Sequence, residues 1–460
     1  MARSFVSSRL ALGAALAVFA LGACASDDKA KAKTKASNNV KPTTDNTKPK
    51  TPPAKPPVAK PPADKPPVAT KTEPPAKEPP VAKPPAPKPA LLGQDFLADA
   101  KTLYKATMCR GDAALPAKLD KRFWKRHCNF VNVRIKRYHK RWLAKARPFF
   151  DKHVPKDLGT TVVYPFGGGD LMTALGVFPN LREVTTMSLE PSGDPRSINT
   201  ISNAMFKRYW GKAHHHVASL LVASHSRTID MIEAMNYGKI PGEVIFSLLA
   251  LAIHDMEPVS LRYFSVQPDG TLKYLTAAEV SAADKAVADA KGRGKRKARK
   301  ARKALFKNME LQFRKSGGAV KIHRHIRENL GNKHLKKDGR VIKHLSAKGK
   351  VPVMTKAASY LLWYDSFSII RNWIIKNVDW MVSDATGLPP RVAKRAGYEQ
   401  ITFGKFVTHI PTMSNPGTRQ IRNFVKLWKT NPKRSLPFMF GYSGGHGFAT
   451  RHLMITRRKK

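Results

Sequence analysis

The residues with the most chemistry to offer lie in one stretch of this 460-residue chain, TTVVYPFGGGDLMTALGVFPNLREVTTMSLEPSGDP, residues 160–195. Gly167, Gly168 and Gly169 follow a β-branched run that ends at Pro165, and Asp170 follows the glycines. A second apolar run ends at Glu190, with Asp194 close behind. The spacing predicts strand, glycine turn, short helix, strand. In nucleotide-binding α/β units such a turn lets backbone N–H groups approach a ligand, and the acid about twenty residues later holds a ribose hydroxyl. Gly167, Gly168 and Gly169 are therefore the ligand-binding candidates, with Glu190 as the hydroxyl acceptor. Asp170, Glu190 and Asp194, gathered at one sheet edge, are the catalytic candidates, for hydrolysis or for a divalent metal. The plainer alternative is that the glycines only permit a tight turn and that Asp170 caps the helix LMTALGVF. Pro165 and the G-G-G-D spacing both depart from G-x-G-x-x-G.

Other candidates are weaker. In KAASY, a lysine sits near hydroxyls (Lys356, Ser359 and Tyr360), but such blocks are commonly buried with one satisfied polar group. His214, His215 and His216 are consecutive, so on a helix they point around it and make a poor metal site. No zinc-type pairing of cysteines and histidines is complete, so no metal site is assigned, and the residues name no cofactor.

The start of the chain decides where these elements work. Arg3 and Arg9 precede ALGAALAVFALGA, an apolar run short for a spanning helix and suited to a secretory signal. It ends in Leu21-Gly22-Ala23-Cys24, which resembles the lipobox of bacterial lipoproteins. That resemblance implies cleavage after residue 23, lipidation of Cys24, and, because Ala25 and Ser26 supply no retention aspartate, sorting to the outer membrane. Residues 24–89 are lysine, alanine, threonine and proline, with near-repeats PPVAK, PPADK and PPVAT. Such a segment cannot bury a core. It reads as a disordered, extended spacer of on the order of 200 Å at ~3.1 Å per residue.

Residues 90–460 read as a globular α/β domain. Helical periodicity runs to about His153, and Cys109 and Cys128 lie on or beside those helices. Two non-lipidated cysteines in an exported chain predict a Cys109–Cys128 disulfide worth ~3 kcal/mol. Alternation about Asp269-Gly270 and about Gly317-Gly318 predicts two hairpins. Between the hairpins, at about 281–305, lies a basic insertion containing KGRGKRKARKARK. Ser366 is placed to cap the helix FSIIRNWIIKN, and ITFGKFV, LPFMFGY and HLMITRRK read as strands. The expected fold is a mixed sheet with the β-α-β unit near its centre, added antiparallel hairpins and surrounding helices.

Several blocks together resemble a family of uncharacterised bacterial exported proteins: Tyr164 to Asp170, Leu189 to Pro191, Lys356 to Leu362, Phe367 to Asn372, Asp384 to Pro389 and Leu436 to Tyr442. The resemblance implies one architectural unit without implying an activity. The glycine turn also resembles a methyltransferase's first motif.

A formal net charge of +51 implies attraction to polyanions. Nucleic acid is not the expected partner, since the basic run has no interleaved aromatics and the chain is exported. Two functions follow: an outer-membrane-anchored protein presenting a basic domain to an anionic envelope polymer, or an envelope hydrolase or transferase using the glycine turn and acidic strand ends. Cys24→Ala is expected to move the protein from the membrane pellet to the soluble fraction; continued sedimentation with membranes would contradict the anchor.

Overall fold

In the computed structural model, residues 93–206, 242–406, 418–442 and 451–459 are described. Cys24, the spacer and His214 to His216 lie outside them. Among the described residues no helix is long and apolar enough to cross a membrane.

The described residues form one ten-stranded mixed sheet. Five parallel strands make its centre: β1 (Thr161–Tyr164), β2 (Glu183–Ser188), β6 (Lys321–Arg327), β7 (Val353–Thr355) and β8 (Trp380–Ser383). They stand in the order β6-β2-β1-β7-β8. On one side β3 (Glu257–Val266), β4 (Leu272–Tyr274) and β5 (Asn308–Arg314) add the two expected hairpins, joined antiparallel onto β6. On the other side β10 (His452–Arg458) lies antiparallel between β8 and β9 (Tyr398–Gly404).

Neighbouring residues of β1 point to opposite faces of the sheet, and each face has its own core. Val162 and Tyr164 join the core packed under α1 (Leu97–Met108), α2 (Lys121–Tyr138), α3 (Ala144–His153), α4 (Leu171–Val177) and α5 (Gly242–Ile253). Val163 joins the opposite one, covered by α9 (Arg340–Ser346) and α10 (Ser368–Asn377). α5 is apolar all round because it is enclosed by protein: from Val244 to Ile253 every side chain is buried. A disulfide joins Cys109, just past α1, to Cys128 on α2, with 5.6 Å between the Cα atoms.

The basic insertion is a helical hairpin, α6 (Ala277–Asp289) and α7 (Gly292–Leu305). A Thr276–Glu279 capping box starts α6, and α7 buries none of its residues.

Two local expectations differ. Ser366 is exposed and caps nothing; α10 begins at Ser368, and Asn332, at the start of α8 (Asn332–Lys337), serves instead. Its Oδ1 accepts from the Ile369 N–H at 3.0 Å, and its Nδ2 donates to Ser368 Oγ at 2.8 Å. A packed neighbour has displaced the local cap. LPFMFGY is irregular rather than a strand, because its alternate aromatics, Phe438 and Phe440, pack on Trp142 and Phe150 instead of into a ladder.

Candidate functional site at the carboxyl edge of the parallel strands

Along the chain, β1, β2 and β6 step one way across the sheet, and β7 and β8 step the other way. Numbered by themselves, these strands follow the 3-2-1-4-5 order of doubly wound nucleotide-binding folds. The winding reverses between β1 and β7, and in open α/β sheets ligands bind outside the carboxyl ends of the strands at that reversal.

The loop leaving β1 carries Gly167, Gly168, Gly169 and Asp170. Its amides are committed internally: Gly167 N–H bonds Tyr164 O at 3.2 Å, Gly168 N–H bonds Met187 O at 3.3 Å, and Asp170 N–H bonds Gly167 O at 3.0 Å. A Cβ on Gly167 would meet the Tyr164 ring, and one on Gly169 would come within 2.7 Å of Phe246 Cβ. These two glycines make room for core side chains rather than for a ligand. Only Gly168, at φ +42°, is half-exposed, facing Ser188 and Glu243. The phosphate cradle is absent, and α4, at seven residues, is too short to supply one. A pyrophosphate does not fit this turn.

Asp170 makes no backbone cap on α4. It is buried, pairs with Lys356 Nζ at 2.5 Å, and accepts from Tyr164 Oη at 2.9 Å and Thr173 Oγ1 at 2.7 Å. Lys356 also donates to Thr173 Oγ1 at 2.7 Å, so the hydroxyl it meets belongs to α4 and not to its own block.

Asp194 goes elsewhere. It caps a 3₁₀ turn (Pro195–Asn199) and binds Arg196 at 2.9 Å and Arg302 of α7 at 2.7 Å. Asp170, Glu190 and Asp194 therefore do not converge. Each lies after a parallel strand, but Arg and Lys partners draw two of them apart. Among the described residues no group of three or more His, Cys, Asp or Glu side chains is placed to hold a metal.

Glu190 remains. It is 5% exposed, and its Oε2 has no hydrogen-bond partner. Beside it Glu243, the second residue of α5, is fully buried with neither carboxyl oxygen hydrogen-bonded, His325 Nδ1 lying 3.9 Å from its Oε2. Burial, followed by the nearby Glu190 charge, pushes the Glu243 carboxyl well above the usual range.

Glu190 is held from below by a directed hydrogen-bond chain. His325 Nε2 lies 2.9 Å from Glu190 O, a pure acceptor, so that nitrogen carries the proton. Burial lowers His325 to about 4 and His323 to about 3, so both rings are neutral. Thr186 then donates to His325 Nδ1 at 3.1 Å, His323 Nε2 donates to Thr186 at 2.9 Å, and Ser247 donates to His323 Nδ1 at 3.2 Å. Every donor points toward Glu190.

Across the reversal, the loop leaving β7 is strained. Ala357, Ser359 and Tyr360 have φ of 53°, 50° and 56°, and Phe166 on the β1 loop has 62°. None is glycine, so each costs on the order of 1–3 kcal/mol. Asp384, after β8, holds the loop in place: it accepts the Ala357 N–H at 3.0 Å and the Tyr442 N–H at 3.1 Å, and Thr386, which it also binds, accepts the Ala358 N–H at 3.0 Å. Tyr442 Oη donates to Ala357 O at 2.8 Å, and the half-exposed Ser359 Oγ lies 3.4 Å from that phenol. Two of the large apolar side chains exposed in this protein also sit after these strands, Leu189 at 48% and Tyr364 at 40%.

Asp384 and Tyr442 stand in two of the blocks that carry the family resemblance, but neither they nor Glu243 are marked as site residues by spacing, because their partners are far away in the chain. One unused signal is G-Y-S-G-G at 441–445, a G-x-S-x-G pattern. Its catalytic context is a strand turning into a helix. Residues 436–442 are not a strand, and Ser443 lies outside the described residues.

Comparison of the chain with protein-family models, with curated proteins and with solved structures gives no match.

Two predictions follow from this geometry. Lys356→Met leaves Asp170 charged and buried, and is expected to lower unfolding free energy by about 3–5 kcal/mol, with Asp170→Asn/Lys356→Met recovering part of the loss in denaturant titration. Acidification is the second. Unfolded histidine binds a proton near ~6.5, whereas His254, His325 and His344 bind one only near about 4 and His323 near about 3. The unfolded state then holds more protons between those values, so stability falls as pH drops through that window. His323→Gln should flatten the slope of stability against pH; an unchanged slope would show that this ring titrates normally.

Proposed function

We propose that this chain is a lipid-anchored, exported envelope protein whose α/β domain binds a hydroxyl-rich ligand at the carboxyl edge and acts on it as a hydrolase or transferase. The observation that carries the reading is the strain at the winding reversal: four non-glycine residues in left-handed backbone, on the two loops that flank it, pinned by Asp384. Strain of that kind persists where a site must be pre-shaped, and costs stability without return in a loop that only connects.

Glu190 supplies the recognition chemistry. A buried carboxylate oxygen without a hydrogen-bond partner, on a residue whose backbone carbonyl is held by the His325 end of the hydrogen-bond chain, is suited to accept from vicinal hydroxyls, the chemistry shared by a ribose and an envelope glycan. The exposed Leu189 and half-exposed Phe166 give the ring an apolar rim. The Cys109–Cys128 disulfide is in keeping with an oxidising compartment. Retention on an anionic polymer is a second reading, favoured by α7, which carries eight of the chain's cations and buries none.

Thermal-shift titration with adenosine and with a neutral oligosaccharide tests the first reading and separates its two ligand sources. One of them is expected to stabilise the protein, and Glu190→Gln to weaken that ligand by roughly 10–100-fold. Equal stabilisation of the variant, or no stabilisation by either compound, would count against the assignment.

A further inference from the structure

The basic hairpin and the Glu190 loop are physically one assembly. Directly after α7, Phe306 O accepts from the Gly193 N–H at 3.0 Å, and Lys307 O accepts from the Ser192 N–H and Ser192 Oγ, both at 2.9 Å. Arg302 reaches Asp194 at 2.7 Å, and Arg196 reaches Asp284 on α6 at 2.7 Å. The carboxyl end of α7 is therefore fastened two to four residues beyond Glu190.

Between the helix and the loop lies a cavity of about 590 Å³, whose lining includes Pro191, Asp194, Arg196, Arg302, Lys303 and Phe306. That volume is within the range of small-ligand sites. Asp194 and Asp284 on the lining are matched by Arg196 and Arg302, so Lys303 is left to set the local sign. From there the cations continue outward along the helix. At 3.6 residues per turn, Arg293, Arg296, Lys297, Arg299, Lys300 and Lys303 share one broad face, and all are exposed. Among the described residues none of these six makes an ion pair, whereas Arg302, on the opposite face, makes two. The row is about 15 Å long. It has no apolar flank that could enter a bilayer, so it is suited to lie along a soluble polyanion.

We propose that the ligand at Glu190 is one unit of an acidic polysaccharide, with the cavity taking the next anionic sugar at Lys303 and α7 holding the chain beyond it. This rests on the hydroxyl-binding role given to Glu190 and adds the substrate class and the direction in which the polymer runs.

The test uses the full-length protein, solubilised in detergent, with an oligouronate as probe and neutral dextran and duplex DNA as comparators. Oligouronate is expected to bind most tightly, with affinity falling as salt rises. Arg296→Gln/Arg299→Gln/Lys300→Gln removes three exposed cations that make no ion pair among the described residues, and is expected to weaken oligouronate by on the order of 100-fold at low salt while leaving the thermal shift by the neutral Glu190 ligand intact. Unchanged oligouronate affinity in that triple variant overturns the inference and spares the Glu190 reading. DNA binding as tight as oligouronate binding overturns it too, since the helix would then be an unselective cation row. Glu190→Gln is expected to weaken oligouronate by about 10-fold or more. If it leaves both oligouronate and the neutral ligand unaffected, the Glu190 reading itself fails.

Discussion

One buried ion pair joins the two halves of the winding. Asp170 leaves β1 and Lys356 leaves β7, the two strands between which the order reverses, and their charges meet at 2.5 Å almost out of contact with water. Neither charge is tolerable there alone, because desolvating an ion costs several kcal/mol that only a close partner offsets. Tyr164 and Thr173 complete the shell with neutral hydroxyls. The loops that form the candidate site are therefore set by an interaction that itself touches no ligand.

Above that pair, order is kept by hydrogen bonds from distant parts of the chain. Asp384 draws the loop after β7, its own turn and the segment ending at Tyr442 onto one carboxylate. The histidine–threonine chain does the same for Glu190 from the opposite side of β1. Strain in the first loop and unpartnered carboxyl oxygens beside the second occupy the two flanks of the reversal. Both raise the energy of the folded state where a ligand is best placed to lower it. This edge brings the two features together on either side of the winding reversal.

Much of this was legible in the residues. The alternation about Asp269-Gly270 and Gly317-Gly318 specified both hairpins, since a period of two admits little else. The β-α-β unit was readable from its β-branched runs and glycine turn, and so was the cystine. The roles inside the unit were less readable. Three adjacent glycines look like a ligand cradle in any one-dimensional reading, yet two of them exist because Tyr164 and Phe246 occupy the space where a Cβ would stand. Asp170 looks like a cap until a lysine more than 180 residues away is found against it. Asn332 likewise takes over at α10 a job that Ser366 is better placed in sequence to perform.

By itself the sequence determines the local order: which segments alternate, which carry helical periodicity, where the chain turns, and the strongly basic balance of charge. These depend on neighbours within a few positions, and backbone geometry ties them to short periods. Only the tertiary structure decides which charges neutralise one another and which are left over, because that depends on Coulomb and hydrogen-bond contacts that act across angstroms rather than along the chain. It took Asp170 and Asp194 out of the set of available acids, left Glu190 with a buried oxygen that has no hydrogen-bond partner, and fastened the basic helix beside it.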